Sequence, residues 1–149
     1  MRMLAILEEA ARNTSDIVTL AIEHHPARKA LVVFDLHSPL SRLLAQAYQT
    51  ALPEAKRLDF DATTSAQILE EIQKLEPGDL TVLIQSTNFR LSEFRIRIEL
   101  FQRGLSVIEH VHLERATDEG QIGIYIEALA YDPAYYRTRG HAIKARIDA

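Results

Sequence analysis

The chain has 149 residues and contains no cysteine. This absence excludes thiol nucleophiles, zinc fingers, iron–sulfur clusters and a disulfide scaffold, and it favours a cytoplasmic location. An excess of basic charge is also missing, because 17 Lys and Arg stand against 21 Asp and Glu, for a net charge of −4. Proteins that bind nucleic acids or anionic membranes usually carry such an excess, so we expect neither partner.

Long hydrophobic runs are missing as well. The longest apolar stretches, such as Ala30–Phe34, are far too short to cross a bilayer. Glu8 and Glu9 interrupt the N-terminal region before a signal-peptide core could form. With 47% hydrophobic and 26% charged residues, the composition is typical of one globular domain. We therefore expect a single domain over residues 1–149.

Short apolar segments alternate with amphipathic ones along the chain. The runs Ala30–Phe34 and Leu80–Ile84 are continuous and rich in β-branched or aliphatic residues, as is typical of strands buried on both faces. Weaker strands are predicted at residues 55–60 and 105–112. Periodicity predicts helices over residues 3–24, 39–51, 64–75, 92–103, 118–129 and from 132 onward. The predicted capping residues are Ser38, Thr64 with Gln67, Ser92, and Asp118 with Gln121. We predict a three-layer α/β/α Rossmann-like fold, with a mostly parallel sheet of about four strands in the flavodoxin-like order 2-1-3-4 and extra C-terminal helices.

This strand order opens a crevice at the carboxyl ends of the first and third strands, where ligands are expected first. Two loops, residues 35–38 and 85–90, face each other there. The predicted ligand-binding residues are Asp35, His37, Ser38, Ser86, Thr87, Asn88 and Arg90. No glycine-rich phosphate-binding motif follows the first strand. An anion held between Ser38 and Arg90 is one hypothesis, and the alternative is that Ser38 only caps its helix while Arg90 is solvated.

Three histidines near strand ends suggest a site for a divalent metal. His37 follows the first strand, and His110 and His112 lie in the fourth, where alternate residues share a face. Imidazole nitrogens suit zinc, iron or manganese. The separation of roughly 10 Å between these strands weighs against the site. The alternative is that these histidines are partly buried and hydrogen-bonded near the sheet end.

The sequence has no complete catalytic constellation. No Gly-x-Ser-x-Gly elbow is present, and the serines have caps and turns to explain them. Tyrosines concentrate in the last two predicted helices, where they either pack on the sheet or form an interface of a homo-oligomer. They are Tyr125, Tyr131, Tyr135 and Tyr136.

Three segments carry a family resemblance: residues 88–97, residues 104–110 and the Asp-Pro-Ala-Tyr-Tyr sequence at 132–136. With them, the chain resembles the amino-terminal region of leucyl aminopeptidase-like proteins related to aminopeptidase T. These are similar to two-domain metallopeptidases with a paired metal centre, whose ligands belong to the later part of the chain. No position of this sequence matches those ligands. The resemblance implies an N-terminal domain of a longer protein, without its C-terminal catalytic domain, that helps to shape a peptidase cleft or to join subunits.

Two functions are therefore compatible with the sequence. The first is a non-catalytic Rossmann-like domain of an aminopeptidase-like protein. The second is a stand-alone α/β domain that binds a small ligand or a metal in the crevice. Whether the chain is an enzyme is left undecided by the sequence.

Overall fold

The computed structural model describes residues 2–87, 89 and 103–131. Its strands are β1 (Ala30–Phe34), β2 (Lys56–Asp59), β3 (Leu80–Ile84) and β4 (Ser106–His110). Its α-helices are α1 (Arg2–Asp16), α2 (Pro39–Ala51), α3 (Ser65–Gln73) and α4 (Glu119–Ala128). A π-helix, Ile17–Ala21, continues α1, and a 3-10 helix, Leu113–Arg115, follows β4. The helices predicted at 92–103 and from 132 onward lie outside the described residues.

Within the described residues, the four strands form one parallel sheet with the order β2-β1-β3-β4. The predicted order is confirmed. All five residues of β3 are buried, as expected for a central strand covered on both faces. In the register, Val32 of β1 lies beside Val82 of β3, which lies beside Ile108 of β4. These three residues belong to the same side of the sheet.

Alternate strand residues separate two hydrophobic cores. Val32 and Val82 face a core shared with α1, α2 and α4. Leu31 and Val33 face the opposite core, which is shared with α3. The helices therefore lie on both faces of the sheet, and the domain is a three-layer Rossmann-like α/β fold, as predicted. None of the helices within the described residues is both long and apolar enough to span a bilayer.

Capping side chains set where the helices begin. Ser38 accepts a hydrogen bond from the Ser41 N–H and caps α2, with Pro39 in the first helical position. Thr64 and Gln67 form the predicted capping box of α3, and Asp118 caps α4. These caps are confirmed. Because α2 begins directly after the loop that follows β1, its N-terminus lies at the carboxyl edge of the sheet.

The fourth strand is shorter than the predicted range of residues 105–112. β4 ends at His110, and His112 adopts the left-handed conformation with φ 57° before the 3-10 helix begins. The expectation that His110 and His112 share a strand face is therefore wrong. The physical reason is that a left-handed residue ends the alternation of side chains on which the expectation was based.

Candidate functional site

A buried carboxylate joins the two loops at the carboxyl ends of β1 and β3. Asp35 is 2% exposed. Its Oδ2 accepts a hydrogen bond from the Ser86 backbone N–H at 2.7 Å, and its Oδ1 accepts from the Ser86 hydroxyl at 2.6 Å. Oδ1 also accepts from the backbone N–H of His37 at 3.2 Å. Both oxygens of Asp35 are therefore occupied by groups of the protein itself.

Ser38 extends this network to the start of α2. Its Oγ lies 2.7 Å from the Oγ of Ser86. Since the Ser86 hydroxyl proton goes to Asp35, the Ser38 hydroxyl is the donor to Ser86. The Ser38 Oγ also accepts from the backbone N–H of Ser41 at 3.2 Å. Three side chains predicted to bind a ligand are thus brought together, and they bind one another.

The remaining predicted crevice residues do not join this cluster. His37 is exposed, and its Nε2 lies 2.5 Å from Oδ2 of Asp61, which is in the turn after β2. Thr87 is exposed. Asn88 and Arg90 lie outside the described residues. The crevice prediction therefore found neighbouring residues, although they do not form an open binding site in the described part of the chain.

The structure does not bring His37, His110 and His112 together as metal ligands. His110 is 3% exposed, and both of its ring nitrogens have hydrogen-bond partners at 2.7 Å, the hydroxyls of Tyr48 and Tyr125. His112 is exposed and lies beyond the end of β4. Across residues 2–87 and 103–131, no group of three His, Asp or Glu side chains is arranged to hold a metal ion. For His110, the structure matches the alternative expectation of a buried, hydrogen-bonded histidine.

The Tyr48–His110–Tyr125 triad links α2, β4 and α4 inside the larger core. Burial lowers the pKa of His110 to about 4. Burial also raises the pKa of Tyr48 well above its ordinary value and raises that of Tyr125. All three side chains are therefore neutral near pH 7.

Donor and acceptor roles in the triad follow from burial. Tyr48 is fully buried, and among the described residues its hydroxyl bonds only to His110. If that hydroxyl accepted from the ring, its own proton would have no partner. Tyr48 therefore donates to Nε2, and the Nδ1–H of His110 donates to Tyr125, which is only partly buried. No sequence spacing signals this triad, because its members come from three separate elements.

A cavity of about 520 Å³ lies at the opposite, amino edge of the sheet. It lies between the start of β1, the π-helix and the C-terminal ends of α2 and α3. Its mostly apolar walls include Val18, Ala30, Leu31, Ala51, Leu52 and Leu75. The volume falls within the range of small-molecule sites, roughly 300–1,000 Å³. Sequence reasoning missed this cavity because no motif marks a space between helix ends.

The fold is that of a Rossmann-like α/β domain, and at the carboxyl edge of its sheet Asp35, Ser38 and Ser86 are hydrogen-bonded to one another. The chain was compared with protein-family models, curated proteins and solved structures, and nothing matched. The resemblance to aminopeptidase T-related proteins therefore stays a prediction.

Proposed function

We propose that this chain is a non-catalytic Rossmann-like domain with a structural, cleft-shaping or dimerisation role, like the amino-terminal region of the aminopeptidase T-related proteins it resembles. Its partner would be the catalytic domain of a longer protein or a second copy of the chain. The observation that supports this proposal is the closed network of Asp35, Ser86 and Ser38. A Rossmann-like enzyme is expected to present free polar groups at that edge of the sheet.

The cost of opening this network argues against a substrate there. Each hydrogen bond to a charged group contributes about 1.5–3 kcal/mol. A substrate that used the Asp35 carboxylate would have to replace the two hydrogen bonds from Ser86, which are the short ones. It would also separate the loops after β1 and β3 and disturb the cap of α2. The alternative function, a ligand in this crevice, loses support for the same reason.

The test compares stability with activity in the variant Asp35→Asn. An amide nitrogen cannot accept the hydrogen bonds that one of the carboxylate oxygens now accepts. We expect the free energy of unfolding to fall by about 2–4 kcal/mol, measured by urea denaturation. The matched control is Asp61→Asn, since Asp61 is exposed and, in the described part of the chain, its carboxylate contacts the exposed ring of His37. Its effect is expected to stay within about 0.5 kcal/mol.

If Asp35 served catalysis or ligand binding, we would expect a different effect of Asp35→Asn on stability. Groups held for catalysis or binding often reduce stability, so their removal leaves the protein equally or more stable. Unchanged or increased stability of Asp35→Asn would therefore contradict the structural role. The same samples are assayed for hydrolysis of leucine p-nitroanilide with zinc, manganese or cobalt. EDTA-sensitive hydrolysis by this chain that is lost in Asp35→Asn would refute the proposal.

A further inference from the structure

The cavity at the amino edge of the sheet has an apolar interior with charged groups around it. The apolar walls come from both helical layers: Val18 and Leu52 are on the α1 and α2 side, and Leu75 follows α3. Leu31, at the start of β1, forms part of the wall between them. A ligand with an aliphatic body would bury its apolar surface there and gain about 25 cal/mol for each Å² removed from water.

Positive charges outnumber negative ones among the residues that line this cavity. Arg28, Lys29, Lys56 and Lys74 stand against Glu54 and Glu71. The carboxylate of Glu71 is paired with Lys74 at 2.9 Å. Within the described residues, no carboxylate lies within salt-bridge distance of Arg28 or Lys56, although the charge of Lys56 helps to lower the pKa of Glu71. The local excess of two cations contrasts with the net charge of −4 of the whole chain.

Helix C-terminal ends carry partial negative charge, which would oppose an anion. At the end of α3, however, the free carbonyls already have donors. The guanidinium of Arg103 donates to the carbonyls of Gln73 and Leu75 at 2.8 and 3.1 Å. At the end of α2, the carbonyl of Tyr48 accepts from the N–H of Leu52. These donors offset part of the negative charge at the two helix ends.

The segment of chain before β1, which contributes to the cavity wall, has irregular backbone geometry. The π-helix Ile17–Ala21 forms part of its wall, and such helices often occur at functional sites. Glu23 adopts a left-handed conformation with φ 56°, an uncommon state for a residue other than glycine. The next residue, His24, is partly buried and lines the cavity. Its ring interacts with the backbone of Arg28, while its Nδ1 has no well-aligned hydrogen-bond partner among the described residues. The left-handed backbone at Glu23 therefore directly precedes a histidine in the cavity wall that keeps one ring nitrogen available for a further hydrogen bond.

From these observations, we propose that the amino-edge cavity binds a small organic anion, a carboxylate on an aliphatic body. The aliphatic part lies against the walls formed by Val18, Leu31 and Leu75, and the carboxylate faces Arg28 and Lys56. This binding activity goes beyond the structural role proposed above. It is independent of that role, because the Asp35 network lies at the other edge of the sheet.

The test uses three probes with the same ten-carbon chain and different head groups: decanoate, decanol and decylammonium. Decanoate and decylammonium are titrated below their micelle concentrations, and decanol is titrated below its solubility limit in water. Binding is measured by calorimetry, and the site is mapped from backbone NMR shifts. We expect decanoate to bind at least fivefold more tightly than decylammonium, with decanol between them. The largest shifts are expected at Ala30, Leu31 and Leu75.

Variants separate the roles of charge and apolar space. Lys56→Gln and Arg28→Gln are each expected to weaken decanoate binding about two- to fivefold while decanol binding is unchanged. Arg12→Gln is the control, because Arg12 is exposed on α1 and does not line the cavity. Ala51→Phe fills the space and should weaken both probes at least tenfold. Circular dichroism and urea denaturation verify that each variant is folded, and Ala55→Phe replaces Ala51→Phe if that variant does not fold.

Three results would overturn the proposal. The first is decylammonium binding as tightly as decanoate, which would exclude selection for an anion. The second is the absence of saturable binding of any probe. The third is a set of NMR shifts centred on Asp35 and Ser86, which would locate the ligand in the carboxyl-edge crevice.

Discussion

His110 makes the stability of this domain dependent on pH in a defined direction. The ring is buried between Tyr48 and Tyr125, and burial lowers its pKa from 6.5 to about 4. In the unfolded chain the same ring is hydrated and keeps a pKa of about 6.5. Between these two values the unfolded chain binds more protons than the folded one. The free energy of unfolding therefore rises with pH across this window and falls as the pH is lowered through it.

The size of the effect follows from the two pKa values. At a pH where the unfolded ring is fully protonated and the folded ring is still neutral, the free energy of unfolding is lower by about 3 kcal/mol than at high pH. Over the narrower interval from pH 7.5 to pH 5.0, the loss is about 2 kcal/mol. Carboxylates titrate mostly below this interval, so histidines dominate it. Burial also lowers the pKa of His24, which adds to the loss in the same direction.

The assay is urea denaturation at both ends of this pH interval. Replacing His110→Gln removes the titrating ring and keeps one donor and one acceptor for the two tyrosines. We expect the wild-type loss to exceed the variant's loss by about 2 kcal/mol, because the His24 contribution cancels in the difference. The control is His112→Asn: His112 is exposed, and asparagine tolerates its left-handed backbone.

A direct measurement keeps this prediction testable if His110→Gln does not fold. The ring C–H resonances of His110 in the wild-type protein are followed by NMR from pH 8 to pH 5. No titration midpoint is expected in this range, because the folded pKa is about 4. A midpoint near 6.5, or equal pH dependence in wild type and His110→Gln, would refute the buried neutral ring.

Two further predictions concern the effect of single substitutions on stability. Tyr48→Phe leaves the Nε2 of His110 without a donor and should lower the free energy of unfolding by about 1–3 kcal/mol in urea denaturation; a loss under 0.5 kcal/mol would contradict it. Gly104→Ala should lower stability by about 1 kcal/mol, because Gly104 has φ +71°, whereas Gly123→Ala inside α4 should raise it by about 0.5–1 kcal/mol, since the new methyl makes ordinary contact with Ile6. Thermal denaturation of both glycine variants compares the signs, and equal signs would refute the explanation.

The fold was predictable because its signals are local and consistent. A continuous apolar run such as Leu80–Ile84 has few alternatives to a buried central strand, and all of its residues are buried. The caps at Ser38 and Thr64 depend on residues three positions apart, so sequence alone identifies them. The end of β4 was less predictable, because the left-handed turn at His112 has no glycine to signal it.

The candidate site was predictable only in part, and the reason lies in hydrogen-bond partners. Topology correctly indicated that the loops containing Asp35 and Ser86 would meet at the carboxyl edge. It does not indicate whether a polar group there is free for a ligand or bound within the protein. Ser86 decides this, because its N–H and hydroxyl both bond to Asp35. Through these two hydrogen bonds, Ser86 connects the two loops where the sequence predicted a ligand crevice.

The same reasoning explains why a ligand site would lie at the amino edge. A site needs space and polar groups that the fold has not already used. At the carboxyl edge, the polar groups of Asp35, Ser38 and Ser86 are hydrogen-bonded to one another. At the amino edge, a cavity of about 520 Å³ lies beside Arg28 and Lys56. The cations of that edge are separated in sequence by the whole of α2, so no linear motif unites them. Binding of decanoate in preference to decylammonium is the measurement that distinguishes a ligand site from a packing defect.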